Sequence, residues 1–529
     1  MIRQIIKELI KKSIKNFNLA EIKEIKVEHP EEKTRGDYAT NIAIVITKQV
    51  GKNPLEIAEI ISNQLLIINK RLKLFEKVEA VSPGFINFFL SKEYLQKQIT
   101  EILKLNGKFS RLKIGKRKKV NIEFISANPT GQLHLGHGRG AFFGDCLANV
   151  LEKADYRVVR EYYINNAKES SQIKELGKTA LGKGTTYLTP YLKTQILNLK
   201  SKFKKTKNEG EAGFLLTQEI QKDVKNFIVE KLKIKFDNWI SEENLYKKNE
   251  ISKIYKWMKK KDLIYKKEGA EWGKTSKFGD KKDWVIIRKN GEPTYLLSDI
   301  AYHKDKIYRK FDKIIDIWGA DHQGHVSKIK AAVKMLGFKG DLDILISQVV
   351  RLKGGKISKR EGNVVTLRWL IDEVGLDAAR FIYLTKSLDT QMEFDVNLAK
   401  EKSNKSPVYY CQYAHARICS ILRKYGKLPI KITNTQNLKL LNHSSELFLI
   451  KQLIKFPEII EDTTKDYQVQ RLSQYTISLA TSFHQFYRNC RVISNDKKLT
   501  QARLSLALAV KIILENTLSL MGISSPEKM

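Results

Sequence analysis

The chain has 529 residues, 42% hydrophobic and 9% aromatic, which suits about three domains with buried cores and excludes a compositionally disordered chain. Lys plus Arg number 96 against 58 Asp plus Glu, a formal charge of +38 that points to a polyanionic partner, either nucleic acid or an anionic surface. Four scattered cysteines with no C-x-x-C pair exclude a disulfide framework and a Cys-rich zinc site, and no long uncharged apolar run is present to span a membrane.

Residues 1–112 read as a small N-terminal α+β domain. Helical spacing covers Ile2–Ile14 and Pro54–Asn69, and apolar alternation bounded by turns runs through Val78–Phe89. The basic amphipathic start imitates a transit peptide. An acidic residue interrupts it and no cleavage site follows, so it reads as the first helix of a cytoplasmic protein. Lys113–Lys119 is a basic linker into the second unit, 113–394.

There the pattern changes. Val120–Ile125 alternates like a strand, Asn128–Gly131 breaks it, a helical pattern follows from Gly136 to Ala154, and Val158–Ile164 is a second strand. Strand–helix–strand marks a parallel, Rossmann-like α/β domain. The Lys-rich stretch 168–275 reads as a mostly helical insertion, after which strand-like runs resume at Trp284–Arg288, Ile314–Trp318 and Ile344–Val350. Residues 395–529 read as a C-terminal helical bundle, from Pro407–Lys424 to Ala502–Met521.

Two constellations carry chemistry. His134-Leu135-Gly136-His137 sits where the strand turn becomes a helix. Free N–H groups and the helix dipole there attract phosphate, Gly136 permits close approach, and two imidazoles can donate to phosphate oxygens. The same His pair suits a metal, but no third ligand with zinc-like spacing lies nearby, so no structural metal is expected. The second is the basic loop Lys356-Ile357-Ser358-Lys359-Arg360 between Gly354-Gly355 and Gly362, whose ammonium groups suit a leaving pyrophosphate. In a chain this rich in Lys the string alone says little. Its value is the pairing, because both loops would meet at the C-terminal edge of one parallel sheet.

These motifs resemble the H-I-G-H and K-M-S-K-S signatures of class I aminoacyl-tRNA synthetases, and within them the arginyl-tRNA synthetase family. The resemblance rests on Glu123–Ala141, Gly291–His303, Trp318–Val326, Lys356–Asn363, Asp377–Phe381 and Pro407–Arg417, with Gly36–Asn41 and the final LMGISSPEKM. It implies ATP-dependent ligation of L-arginine to tRNA(Arg) through an arginyl-adenylate, with Mg²⁺ accompanying ATP, no membrane partner and a monomer.

By that resemblance His134, His137, Lys356 and Lys359 are catalytic, and Gly136, Gly319, Asp321, His322, Gln323 and Ser358 join them around ATP. Glu123, Asn128, Tyr295 and Asp299 are expected to bind arginine, since a guanidinium calls for matching carboxylates. Glu123 is an odd charge in an alternating strand. Asp299 could instead cap a helix, as could Asp321. Tyr409, Tyr413, His415 and Arg417 mix aromatic and basic groups as unstacked RNA bases require, and the same residues at helical spacing also suit a core. One departure stands out. The family pattern N-D-A-G-x-Q-I is replaced by Asn165-Asn166-Ala167-Lys168-Glu169-Ser170-Ser171-Gln172-Ile173, two residues longer and without the glycine. A small-molecule nucleotidylyltransferase, another class I synthetase and a non-catalytic RNA-binding paralogue are the competing readings.

Overall fold

The computed structural model describes residues 1–17, 19, 20, 22, 24–354, 365–426 and 435–529. The N-terminal unit opens with the helix Ile2–Ser13, which buries Ile2, Ile6, Leu9 and Ile10 on one face. Its sheet is antiparallel, with β1 (Tyr38–Thr40), β2 (Phe75–Val81) and β3 (Phe85–Leu90) in the order β1-β3-β2. The helix Pro54–Leu72 starts on an Asn53 cap with proline at its first position and stops at Lys73, where φ is 52°.

This unit docks on the C-terminal helices through one buried carboxylate. Glu458, 1% exposed, accepts from the Tyr38 hydroxyl at 3.0 Å and pairs with Arg3 at 3.1 Å and His29 at 2.9 Å. Asp37 pairs with Lys451 at 2.7 Å, so two residues of the Gly36–Asn41 motif serve this junction. Glu458→Gln is expected to cost roughly 1–3 kcal/mol, because Arg3 keeps Asp462 while Arg3, His29 and Tyr38 lose their shared buried charge. A denaturant midpoint equal to wild type would sink that expectation.

The second unit is built on a parallel sheet. Its strands are β4 (Lys119–Glu123), β5 (Arg157–Ile164) and β6 (Asn238–Ser241). A separate antiparallel sheet follows, made of β7 (Ile264–Lys267), β8 (Ala270–Gly273) and β9 (Trp284–Ile287). Then come β10 (Lys313–Gly319) and β11 (Asp341–Ser347), and the parallel sheet has the order β11-β10-β4-β5-β6. Residues 120–124 of the central strand are all buried, because helices cover both faces of the sheet. The order reverses between β4 and β10, and open α/β sheets bind ligands beyond such a point.

Three expectations are corrected here. The stretch 168–275 is not only an inserted helical segment, since it contains the sheet's edge strand β6, paired in parallel with β5. Four half-buried residues among lysines give little periodicity to detect. Trp284–Ile287 belongs to the small antiparallel sheet rather than the parallel one. Ile344–Val350 splits: β11 ends at Ser347, and β12 (Val350–Leu352) pairs with β13 (Met392–Phe394).

The C-terminal unit packs the helices Pro407–Tyr425, Ser444–Ile454, Phe456–Asp466, Gln470–Asn489 and Lys497–Leu520 around an apolar core. Arg380, 1% exposed, locks it to the catalytic unit. It pairs with Asp145 at 2.7 Å and donates to the carbonyls of Leu232 and Met521. No helix among the described residues is long and apolar enough to cross a membrane.

Candidate active site

The helix Leu135–Lys153 begins at His134, directly after the turn that leaves β4. His134 and His137 cap it reciprocally. His134 Nδ1 accepts from the Gly136 amide at 3.1 Å, and His137 Nδ1 accepts from the His134 amide at 3.0 Å. With both Nδ1 atoms accepting, the proton of each neutral ring sits on Nε2. The rings lie 3.8 Å apart, centroid to centroid. Packing around them lowers both imidazoles, His137 to about 3, with the His134 ring adding to the effect and Asp321 opposing it at His134. The site therefore presents two neutral N–H donors at a helix N-terminus.

The chain on the far side of the second signature returns to this turn. Lys356, Ser358 and Lys359 fall outside the described residues, but the chain that leaves the basic loop is fixed. Leu135 N donates to Val365 O at 3.2 Å, and Leu367 N donates to Leu133 O at 2.7 Å. Arg139, 2% exposed, reaches from the same helix to the carbonyls of Ser387, Leu388 and Thr390, beside the strand that pairs with β12. The chain that follows the basic loop is thus tied to the His134 turn.

Gly319 ends β10, and Asp321, His322 and Gln323 follow in an exposed turn at the same edge. A Cβ on Gly319 would come within 2.6 Å of Asp321 Oδ1, so a glycine is needed for that carboxylate to fold back.

Beyond β4 the backbone turns sharply. Ile125 and Ser126 have φ of 69° and 37°, a costly conformation for a β-branched residue and one that gathers at functional sites. The turn aims Ser126 at Glu123 Oε1, 2.9 Å away. Glu123, 5% exposed, also accepts from Tyr302 at 2.8 Å and Lys306 at 2.6 Å. Lys306 in turn holds Asp316 at 2.7 Å, and Arg309 pairs with the buried Glu161. Glu123 is an inward-facing carboxylate, as the sequence suggested, and one already neutralised. Asn128 is exposed at the next corner and accepts from Asn165 at 3.1 Å.

Two other carboxylates have no such partner. Asp299 lies in the first turns of the helix Tyr295–Tyr308, where Thr294, not Asp299, is the N-cap. Burial raises its carboxyl to about 7, opposed by His303 and Lys306 and helped by Glu123 and Asp316. Glu242, 3% exposed at the end of β6, is also raised to about 7 by burial and then by Asp299. Among the described residues, neither forms an ion pair, whereas Glu123, Asp316 and Glu161 each have one. Glu242, Tyr246, Arg288, Glu292, Tyr295 and Ser298 line a cavity here. Sequence reasoning missed Glu242, because two acidic residues opening a helix look like ordinary dipole complements.

On the helical unit, Tyr409, Tyr413 and Arg417 form one partly exposed face. Tyr409 and Tyr413 stack at 6.1 Å, and the Arg417 guanidinium lies 4.6 Å over Tyr413 and 5.1 Å over Tyr487. His415 is separated from them. It is 1% exposed, with Nδ1 against the Pro526 carbonyl at 2.9 Å, so it belongs to the core beneath the C-terminal segment. A helix places residues two apart on different faces, which decides between the two readings of this run. Tyr487 and His484, from a different helix, complete the face.

A doubly wound parallel sheet and a paired-histidine turn at its switch point, with the basic signature in the sequence between β12 and Val365, define a class I aminoacyl-tRNA synthetase catalytic unit. Residues 98–169 and 193–421 match the family described as "tRNA synthetases class I (R), catalytic domain". Residues 4–90 match "Arginyl tRNA synthetase N terminal domain", and 411–529 match "DALR anticodon binding domain". The arginine–tRNA ligase of Carboxydothermus hydrogenoformans is 42% identical, over 95% of this chain and 94% of its own length. That of Bacillus subtilis is 40% identical, over 100% and 99%. The Thermus thermophilus arginyl-tRNA synthetase structure, 21% identical, superposes over the whole of both chains with a TM-score of 0.79. The chain belongs to the arginyl-tRNA synthetase family.

Proposed function

We propose that the chain joins L-arginine to its tRNA through an arginyl-adenylate formed at the switch point of the parallel sheet. The arginine carboxylate attacks the α-phosphorus of ATP, and pyrophosphate leaves. Positioning and charge stabilisation supply most of the catalysis in such a displacement. The Nε2–H groups of His134 and His137 donate to phosphate oxygens, and Lys356 and Lys359 hold the leaving pyrophosphate. Gly319, Asp321, His322 and Gln323 flank the nucleoside. Mg²⁺ comes with ATP, held by phosphates and water. Tyr409, Tyr413, Arg417 and Tyr487 stack on unpaired bases of the tRNA.

The observation that carries the amino-acid assignment is Glu242, 3% exposed, lining the cavity and without an ion pair among the described residues, coupled to the half-buried Asp299; two such carboxyls are what a guanidinium complements. Asn128, exposed beyond the turn after Glu123, then meets the substrate's backbone groups, and Tyr295 covers the cavity.

The test is proton linkage. Both carboxyls sit near 7 in the free protein, and a bound guanidinium favours their ionised forms. Arginine binding at pH 7 is therefore expected to release roughly one proton in total, and far fewer at pH 8.5. Titration calorimetry in two buffers of different ionisation enthalpy reads this directly. A heat of binding at pH 7 that does not depend on the buffer's ionisation enthalpy would rule the pocket out.

A further inference from the structure

Resting on that reading of the cavity, we infer that the loop Lys168–Ser171 is a positioning element for arginine, in which Ser170 and Ser171 hold Tyr295 over the pocket. Both serine hydroxyls meet the Tyr295 hydroxyl, at 3.2 and 3.1 Å. All three residues line the cavity. Tyr295 is 49% exposed, so packing alone does not fix its ring. The serines are its hydroxyl's only hydrogen-bond partners among the described residues.

The base of the same loop grips the opposite wall. Lys168 N donates to Glu243 Oε2 at 3.0 Å. Asn166 Oδ1 accepts from Ser241 Oγ at 2.8 Å and from Glu243 N at 3.2 Å. Ser241–Glu243 is the turn that carries Glu242. One short loop therefore bridges the segment that presents Glu242 and the helix that presents Tyr295 and Asp299, setting the width of the pocket between them.

A local rule is broken in its favour. Ser170 is the N-cap of the helix Ser171–Ala180, yet its side chain makes no capping hydrogen bond. A capping serine ordinarily turns to the N2 or N3 amide and stabilises the helix by about 1 kcal/mol. Here the hydroxyl goes to Tyr295 instead. Local stability given up beside a binding cavity is the pattern expected of a functional contact. The segment is also where the sequence runs two residues longer than the pattern it resembles, so the device belongs to this chain's own residues.

The experiment measures steady-state arginylation by the full-length enzyme with Ser170→Ala/Ser171→Ala, Ser170→Thr/Ser171→Thr, Tyr295→Phe and the alanine–phenylalanine combination. The alanine pair is expected to raise KM for arginine about three- to tenfold, the range that one or two neutral hydrogen bonds supply. KM for ATP, kcat and the melting temperature should stay near wild type. The threonine pair keeps both hydroxyls and should keep the wild-type KM. Tyr295→Phe should match the alanine pair, and the combination should add little, because all remove one interaction. An unchanged KM for arginine in the alanine pair overturns the inference, as does a parallel rise for ATP or full additivity with Tyr295→Phe. Asp299→Asn run alongside separates the two readings: if it raises KM while the serine pair does not, the pocket stands and the loop's role falls.

Discussion

Asp299→Asn is expected to lower kcat/KM for arginine by about 10²–10³-fold, the cost of truncating one partner of a buried, hydrogen-bonded charge pair. Glu242→Gln does the same, and KM for ATP stays within about twofold of wild type for both. The direction follows from where the charges stand. Lys306 and Arg309 already answer Glu123, Asp316 and Glu161 from inside the protein. Glu242 and Asp299 have no ion pair among the described residues, and on the proposed reading they answer the substrate. Removing either leaves the guanidinium facing a half-neutral pocket, and a buried site built for a charge rejects what fails to match it.

The pH dependence has a definite sign. Both carboxyls are raised to about 7, so each becomes neutral as pH falls through that value and loses its hold on arginine. KM for arginine is expected to fall as pH rises from 6 to 8. Stability of the free protein moves the other way. A carboxyl raised in the fold binds more protons folded than unfolded between its ordinary value and 7, so its contribution declines as pH rises through that window. Added arginine should offset the decline above pH 7. A KM for arginine that is flat from pH 6 to 8, or one that rises, would contradict the assignment.

How much of this was legible in the sequence depends on the range of the signal. The helix starting beside His134 and the strand ending at Glu123 are written in local spacing, and the structure places them within a residue or two of expectation. Edge strand β6 was hidden because strand periodicity needs a buried face, and all four of its residues are half-buried. Glu242 was hidden for a different reason. Its meaning comes from Asp299, 57 positions away in sequence, and from a shared burial that no local pattern records. His415 shows the converse. Its type and neighbours suggested RNA contact, and only the packing of Pro526 over it reveals a core residue. Motifs thus reported which residues matter, while burial and pairing decided what each one does.

His137→Ala is expected to lower kcat by about 10²–10³-fold at saturating arginine and ATP, the range for one preorganised donor to a developing charge. The same change removes a reciprocal cap, which costs only about 1 kcal/mol of stability, so folded protein should remain for the measurement. The protonation state is the sharper test. His137 is held near 3, so its ring is neutral throughout the working range. Its Nε2–H donates without titrating there, and kcat should carry no limb from His137 between pH 5.5 and 8. A mechanism that needed charged imidazolium would instead lose rate as pH rises past the ordinary histidine value of about 6.5. The two carboxyls near 7 act in the opposite sense and on KM for arginine, so saturating that substrate separates the groups. A kcat that fell about tenfold per unit above pH 6.5 would mean that the Nδ1 atoms do not accept from the backbone during turnover, and that the paired cap opens before ATP is engaged.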